Sequence, residues 1–86
     1  MGDIAPSPHL AAQRLGVDVV IDHVVGADGT TLRLYELGLV PGAVVRVVRT
    51  APLGDPLELA VCGTKVCVRR TDAARFIVRP AAEATR

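Results

Sequence analysis

The chain has 86 residues and a formal net charge of +1; half its residues are hydrophobic, with one Phe, one Tyr and no Trp. That length fits one domain, and a core built mainly of Val, Ala and Leu suits a small β structure but gives no aromatic platform for stacking nucleic-acid bases. The ten basic residues are spread along the chain, without the stripe that phosphate-backbone binding needs, so nucleic acid is not an expected partner.

Met1 to His9 has neither a basic n-region nor an apolar h-region and does not read as a secretory signal. Met1-Gly2 opens like a myristoylation site, but Pro6 stands where Ser or Thr is needed. Residues 1–9 are expected to be a flexible tail, with the cytoplasm as the default address. Leu10 to Leu15 is at most one short helical turn, stopped by Gly16. Val17 to Val25 is β-branched and bounded by glycine, which predicts a strand. The longest apolar stretches, here and at Ala43–Val48, are interrupted by Asp, His or Arg and fall short of the ~20 residues of a membrane span. Direct membrane insertion is not expected.

After a turn at Gly26–Gly29, residues 31–39 predict the one substantial helix, capped by Asp28 or Thr30. Gly38 in the left-handed position would make Leu39 and Leu34 the contact pair of a Schellman stop, and Pro41 prevents continuation. Ala43–Arg49 reads as a second strand. Ala51–Pro56 is a loop with two prolines and a glycine. Leu57–Cys62 is a third strand with Leu57, Leu59 and Val61 on one face. Gly63-Thr64 suits a two-residue type II′ loop, from which Val66–Arg69 returns with Val66 and Val68 inward. Thr71–Arg75 opens with capping residues and predicts a single helical turn. Phe76–Arg79 is a last strand, and residues 80–86 form a C-terminal tail. Five short strands with one helix after the first fit a small, mostly β barrel over residues 10–79, closed or nearly closed, since closure removes aggregation-prone edges.

Leu37-Gly38-Leu39-Val40-Pro41-Gly42, then Ala51-Pro52-Leu53-Gly54-Asp55-Pro56, then Gly63, Val68-Arg69-Arg70 and Ala73-Ala74 occur in an order and spacing that closely resemble the FeoA family, over about Leu10 to Val78. These are small cytosolic proteins of bacterial ferrous iron uptake. The resemblance implies an SH3-like barrel and association with FeoB, the membrane permease that carries a cytosolic GTP-hydrolysing region. A similar module forms the C-terminal domain of the iron-dependent DtxR-like repressors. At this length the module is expected alone, without the helix-turn-helix and metal-sensing parts that precede it there.

Catalysis is not expected. Cys62-Gly63-Thr64-Lys65 lacks the earlier glycine of a phosphate loop, and no helix follows it. Alternation would send the side chains of Asp22 and His23 to opposite faces, and His9 sits in the tail. No metal-ligand set and no cofactor motif is legible. Cys62 and Cys67 offer a second function, a stand-alone metal-responsive or redox module. A Gly63-Thr64 loop makes them diagonal neighbours roughly 7–8 Å apart, whereas a Thr64-Lys65 loop sets them opposite at roughly 5 Å. Two thiols are half a metal site, which a symmetric homodimer would complete; the plain reading is two small residues in a reducing cytosol. A proline-peptide adaptor is disfavoured by the near absence of aromatic residues. The expected partner-binding residues are Ala51, Pro52, Leu53, Gly54, Asp55 and Pro56, where prolines stiffen a loop tipped by Leu53, together with Leu37, Leu39 and Pro41 of the other segment.

Overall fold

Alternating aliphatic residues build the sheet, as their period predicts. In the structure, a computed structural model that describes residues 8–81, the order is a 3-10 turn (Leu10–Ala12), β1 (Asp18–Val24), α1 (Gly29–Glu36), β2 (Val44–Thr50), β3 (Leu57–Val61), β4 (Thr64–Val68), α2 (Arg70–Ala73) and β5 (Phe76–Pro80). The five strands form one antiparallel sheet in the order β4-β3-β2-β1-β5. Register shifts between Ile21 and His23 and between Val47 and Arg49 bend the strands, as bulges do, and curl the sheet into an SH3-like barrel. Leu10, Ile21, Leu39, Val45, Leu57, Leu59, Phe76 and Val78 fill its interior.

The helix begins about two residues earlier than residues 31–39. Asp28 is the cap: its carboxylate accepts from the Thr31 N–H at 3.1 Å, and the buried Thr31 hydroxyl donates to the Asp28 carbonyl at 2.9 Å. The stop falls where the glycine puts it. Gly38 has φ +110°, its N–H donates to the Tyr35 carbonyl at 2.9 Å, and the Leu39 N–H donates to the Leu34 carbonyl at 3.0 Å. Those two bonds define the Schellman motif, and Leu34 and Leu39 are both buried in the core.

Two local expectations are corrected. The hairpin loop is Cys62-Gly63, because Val61 pairs with Thr64 and Leu57 with Val68. Both loop residues have positive φ, +52° and +76°, the mark of a type I′ turn. α2 starts at Arg70 rather than Thr71, and neither Thr71 nor Asp72 caps it. The Asp55 carboxylate, fifteen residues upstream, accepts from the Arg70 N–H at 2.9 Å. At the N-terminal boundary, the Val78 N–H donates to the Pro8 carbonyl at 2.8 Å and His9 bridges Ile77, so two residues assigned to the tail lie along β5. Residues 1–7 and 82–86 of the expected tails lie outside the described residues.

Candidate functional site

The stiff loop between β2 and β3 is the clearest built feature on the surface. Its first four residues form a β-turn closed by the Gly54 N–H to the Ala51 carbonyl at 2.7 Å. Pro52 occupies the second position, and Gly54, at φ +87°, the fourth, the arrangement a type I turn favours. Leu53 falls third, at the tip, and is 96% exposed. The stem is closed by the Ala51 N–H to the Pro56 carbonyl at 3.1 Å, and the Asp55-Pro56 peptide bond is cis.

Arg70 locks this loop to the body. Its Nε donates to the Gly54 carbonyl at 2.9 Å and its guanidinium Nη1 to the Ala11 carbonyl at 2.8 Å, while its backbone N–H meets Asp55. One residue therefore joins the loop, α2 and the N-terminal 3-10 turn. In the sequence Arg70 stands out only within the Val68-Arg69-Arg70 block. Nothing in its sequence neighbourhood reveals the role, because its partners lie fifteen, sixteen and fifty-nine positions away. Beneath the loop stem is a cavity of about 140 Å³ lined by Arg49, Thr50, Ala51, Pro56, Glu58 and Cys67.

The other expected contact segment divides. Leu37 and Val40 are exposed and Pro41 lies at the surface. Leu39 is fully buried, since the Schellman stop turns it inward against Leu34; it is a core residue and not a surface contact. The two segments flank β2 at opposite ends, a strand length of about 20 Å. They do not form one small patch.

The cysteines are separated. Cys62 sits in the hairpin turn, its Sγ close to the α1 stop: a Cβ added at Gly38 would lie 3.3 Å from it. Cys67 pairs with Glu58 three strand positions beyond Thr64, roughly 10 Å away along β4. Neither register weighed for the pair is the one adopted, and both thiols are free. Among the described residues, no three His, Cys, Asp or Glu side chains come together as a metal site would require.

A further correction concerns β1. Asp22 and His23 meet, with His23 Nδ1 2.7 Å from Asp22 Oδ2, because the register shift at Ile21/His23 breaks the alternation that would have parted them. Arg79 donates to the other Asp22 oxygen at 2.8 Å. The His23 hydrogen bond first, then Arg79, holds the Asp22 carboxyl below its usual range. The Thr31 N–H and then Arg75 do the same for Asp28, as Arg46 does for Asp18. All three are surface carboxylates held in ion pairs by Arg46, Arg79 and Arg75.

With this geometry established, likeness to known proteins decides the family. The family model described as the FeoA domain matches residues 9–80. This chain belongs to the FeoA family. It is 36% identical over 69 residues to an Fe(2+) transport protein A/Fe(2+) transporter FeoB fusion protein of Porphyromonas gingivalis, a match covering 80% of this chain and 8% of that protein. FeoA from Chlorobium tepidum superposes with a TM-score of 0.79 at 35% identity, over 84% of this chain and 69% of that one. FeoA from Stenotrophomonas maltophilia, solved with zinc as an SH3 domain protein, gives a TM-score of 0.73 at 35% identity, over 86% and 91%. The fold alone recurs in a manganese-dependent transcriptional repressor (TM-score 0.75, 21% identity, 91% of this chain and 38% of that one), which accounts for the likeness to the repressor module. No helix among the described residues is long and apolar enough to cross a membrane.

Proposed function

We propose that this chain is a non-catalytic accessory protein of bacterial ferrous iron uptake. It works in the cytoplasm, docks on the GTP-hydrolysing region of a FeoB-like permease and modulates transport. The observation that carries this reading is the Porphyromonas gingivalis relative, in which the domain is fused to the transporter. Fusion supplies an effective concentration in the millimolar range. Docking also needs a contact surface on the domain itself. The loop Ala51–Pro56 suits that task, because its hydrogen-bonded turn and Arg70 fix it before binding and little ordering entropy remains to be lost. Leu53 is the anchor; Ala51, Pro52, Gly54, Asp55 and Pro56 shape its surround. Leu37 and Pro41, at the other end of β2, form a second point of contact. One apolar side chain and its rim make a small interface, so the affinity is expected on the order of 10–100 μM.

The test is an NMR titration of labelled protein with the soluble GTPase region of the cognate permease, with and without nucleotide. Shifts centred on residues 51–56 support docking through the loop, and Leu53→Asp abolishes them while leaving the rest of the spectrum in place. An unchanged spectrum at saturating partner concentration, or an undiminished response from Leu53→Asp, refutes this mode of docking.

A further inference from the structure

The two outer strands of the sheet are finished differently. On β5 the outward backbone is used: Val78 donates to the Pro8 carbonyl, and His9 bridges Ile77. Pro8 and His9 thus blunt that edge. β4 has no such cover among the described residues. In a two-residue hairpin the residues flanking the loop exchange hydrogen bonds, which makes Val61 with Thr64, Leu59 with Val66 and Leu57 with Val68 the bonded pairs. Lys65 and Cys67 alternate with these, so their N–H and C=O groups point away from β3. No described residue hydrogen-bonds those four groups. The β3–β4 ladder has no bulge to twist this edge aside and no proline to interrupt it.

Charge says what the edge accepts. Val66 and Val68 are buried, while Lys65, Cys67 and the following Arg69 are exposed. Arg69 opens onto a polar cavity of about 720 Å³ shared with Thr30, Arg33 and Thr71. The two carboxylates on its wall, Asp28 and Asp72, are already held by Arg75 at 2.9 and 3.8 Å. Arg33 and Arg69 make no ion pair among the described residues, and Lys65 shares the one Glu58 carboxylate of β3 with Arg49, at 3.6 and 3.5 Å, so two exposed cations face a single anion there. A second copy of the chain fits this edge badly, because every antiparallel register sets Lys65 directly or diagonally against Lys65 or Arg69 of its twin, and like charges across a ladder destabilise it.

We infer that β4 is an acceptor edge for strand addition by another protein, and that the segment it takes is extended and acidic. Its main chain bonds to Lys65 and Cys67, and its alternate Asp or Glu side chains face Lys65 and Arg69. This surface borders the loop stem, since Cys67 shares a cavity with Ala51 and Pro56 and Arg69 shares one with Asp55 and Pro56, but it does not use Leu53 and stands whether or not that loop docks on a permease.

The test uses the full labelled chain and a capped peptide alternating Glu with Val, against its Lys-for-Glu counterpart. At saturation, amide hydrogen exchange at Lys65 and Cys67 slows by about tenfold or more, and the Lys peptide binds about tenfold more weakly. Cys67→Pro removes an outward donor and leaves the ladder to β3 intact, so it keeps the fold and loses the peptide. Should that variant unfold, the exposed pair Lys65→Glu with Arg69→Glu removes binding through charge alone. Unchanged exchange at saturation, or equal affinity for the two peptides, overturns the inference. So does protection that grows with protein concentration in the absence of peptide, which would make a second copy the occupant.

Discussion

Arg70→Ala is the perturbation that most directly tests how the β2–β3 loop is held. The side chain makes two hydrogen bonds to carbonyls, Gly54 at 2.9 Å and Ala11 at 2.8 Å, the second of them partly buried. A bond from a charged donor contributes about 1.5–3 kcal/mol where solvent is excluded and less where water competes. Ordering a long side chain costs about 1–2 kcal/mol in return. The bond to Gly54 is exposed and is set near the entropy cost, so the net loss on truncation is about 1–2 kcal/mol. It comes chiefly from the Ala11 carbonyl, left without its partner. In a domain of this size that lowers the thermal midpoint by roughly 5–15 °C. The Ala51–Gly54 turn keeps its own bond and Asp55 keeps the Arg70 backbone N–H, so the loop survives but is cut from the 3-10 turn. Arg70→Lys recovers less than half, because an ammonium cannot span two carbonyls as a planar fork does. The assay is calorimetry or thermal circular dichroism on all three proteins, with amide exchange read across residues 51–56. A midpoint shift below about 2 °C for Arg70→Ala would show that the two bonds stabilise nothing beyond what water supplies.

Leu53→Asp leaves the unfolding free energy from urea titration within about 0.5 kcal/mol of wild type, since the side chain is almost wholly exposed; a larger loss would place Leu53 in the packing. Leu39→Ala costs about 2–5 kcal/mol by the same measurement, a large share of the stability of so small a domain, because Leu39 is fully buried. Gly38→Ala destabilises by about 1–2 kcal/mol from its positive φ. The contact with Cys62 Sγ adds to this, so Cys62→Ala in the same chain restores only the steric part. Asp18, Asp22 and Asp28 have folded pKa values below their unfolded value near 3.8. Their stabilisation is therefore complete above about pH 4 and is lost as pH falls through the folded values. Urea midpoints measured from pH 6 to pH 2 fall over that lower window, and Asp28→Asn flattens the fall. Mild oxidation of the dilute protein leaves two titratable thiols per chain, because Cys62 and Cys67 are too far apart in this register to join.

Local signals were legible where one residue type admits one conformation. Gly38 followed by Leu39 and Pro41 located the helix stop, and both Schellman bonds are where that reading places them. Alternation identified the inward residues of β3 and β4, yet it could not choose the hairpin register. Loops at 62–63, 63–64 and 64–65 differ by two in pairing, and a shift of two keeps every side chain on its face. The structure selects the loop that lets all five residues of each strand pair, and Cys62 takes φ +52° in consequence. Asp55 capping α2, Arg70 holding the loop, and Asp22 meeting His23 at a register shift were not legible, because each depends on contacts that only the folded sheet creates.

The two leucines singled out beside Gly and Pro show why site prediction fails more readily than fold prediction. Leu39 and Leu53 have the same side chain and similar neighbours, yet one is fully buried and the other 96% exposed. What separates them is the turn that carries each. In a Schellman stop the residue after the glycine is brought back against the third residue from the helix end, so Leu39 must pack on Leu34. In a type I turn the third residue lies at the outer corner, so Leu53 must face solvent wherever the strands point. Turn type thus decides which apolar residue is core and which is offered to a partner. In the loop the decision is held by the Gly54–Ala51 bond and by Arg70. A Leu53 that stays exposed after Arg70 is removed would show that the turn alone suffices.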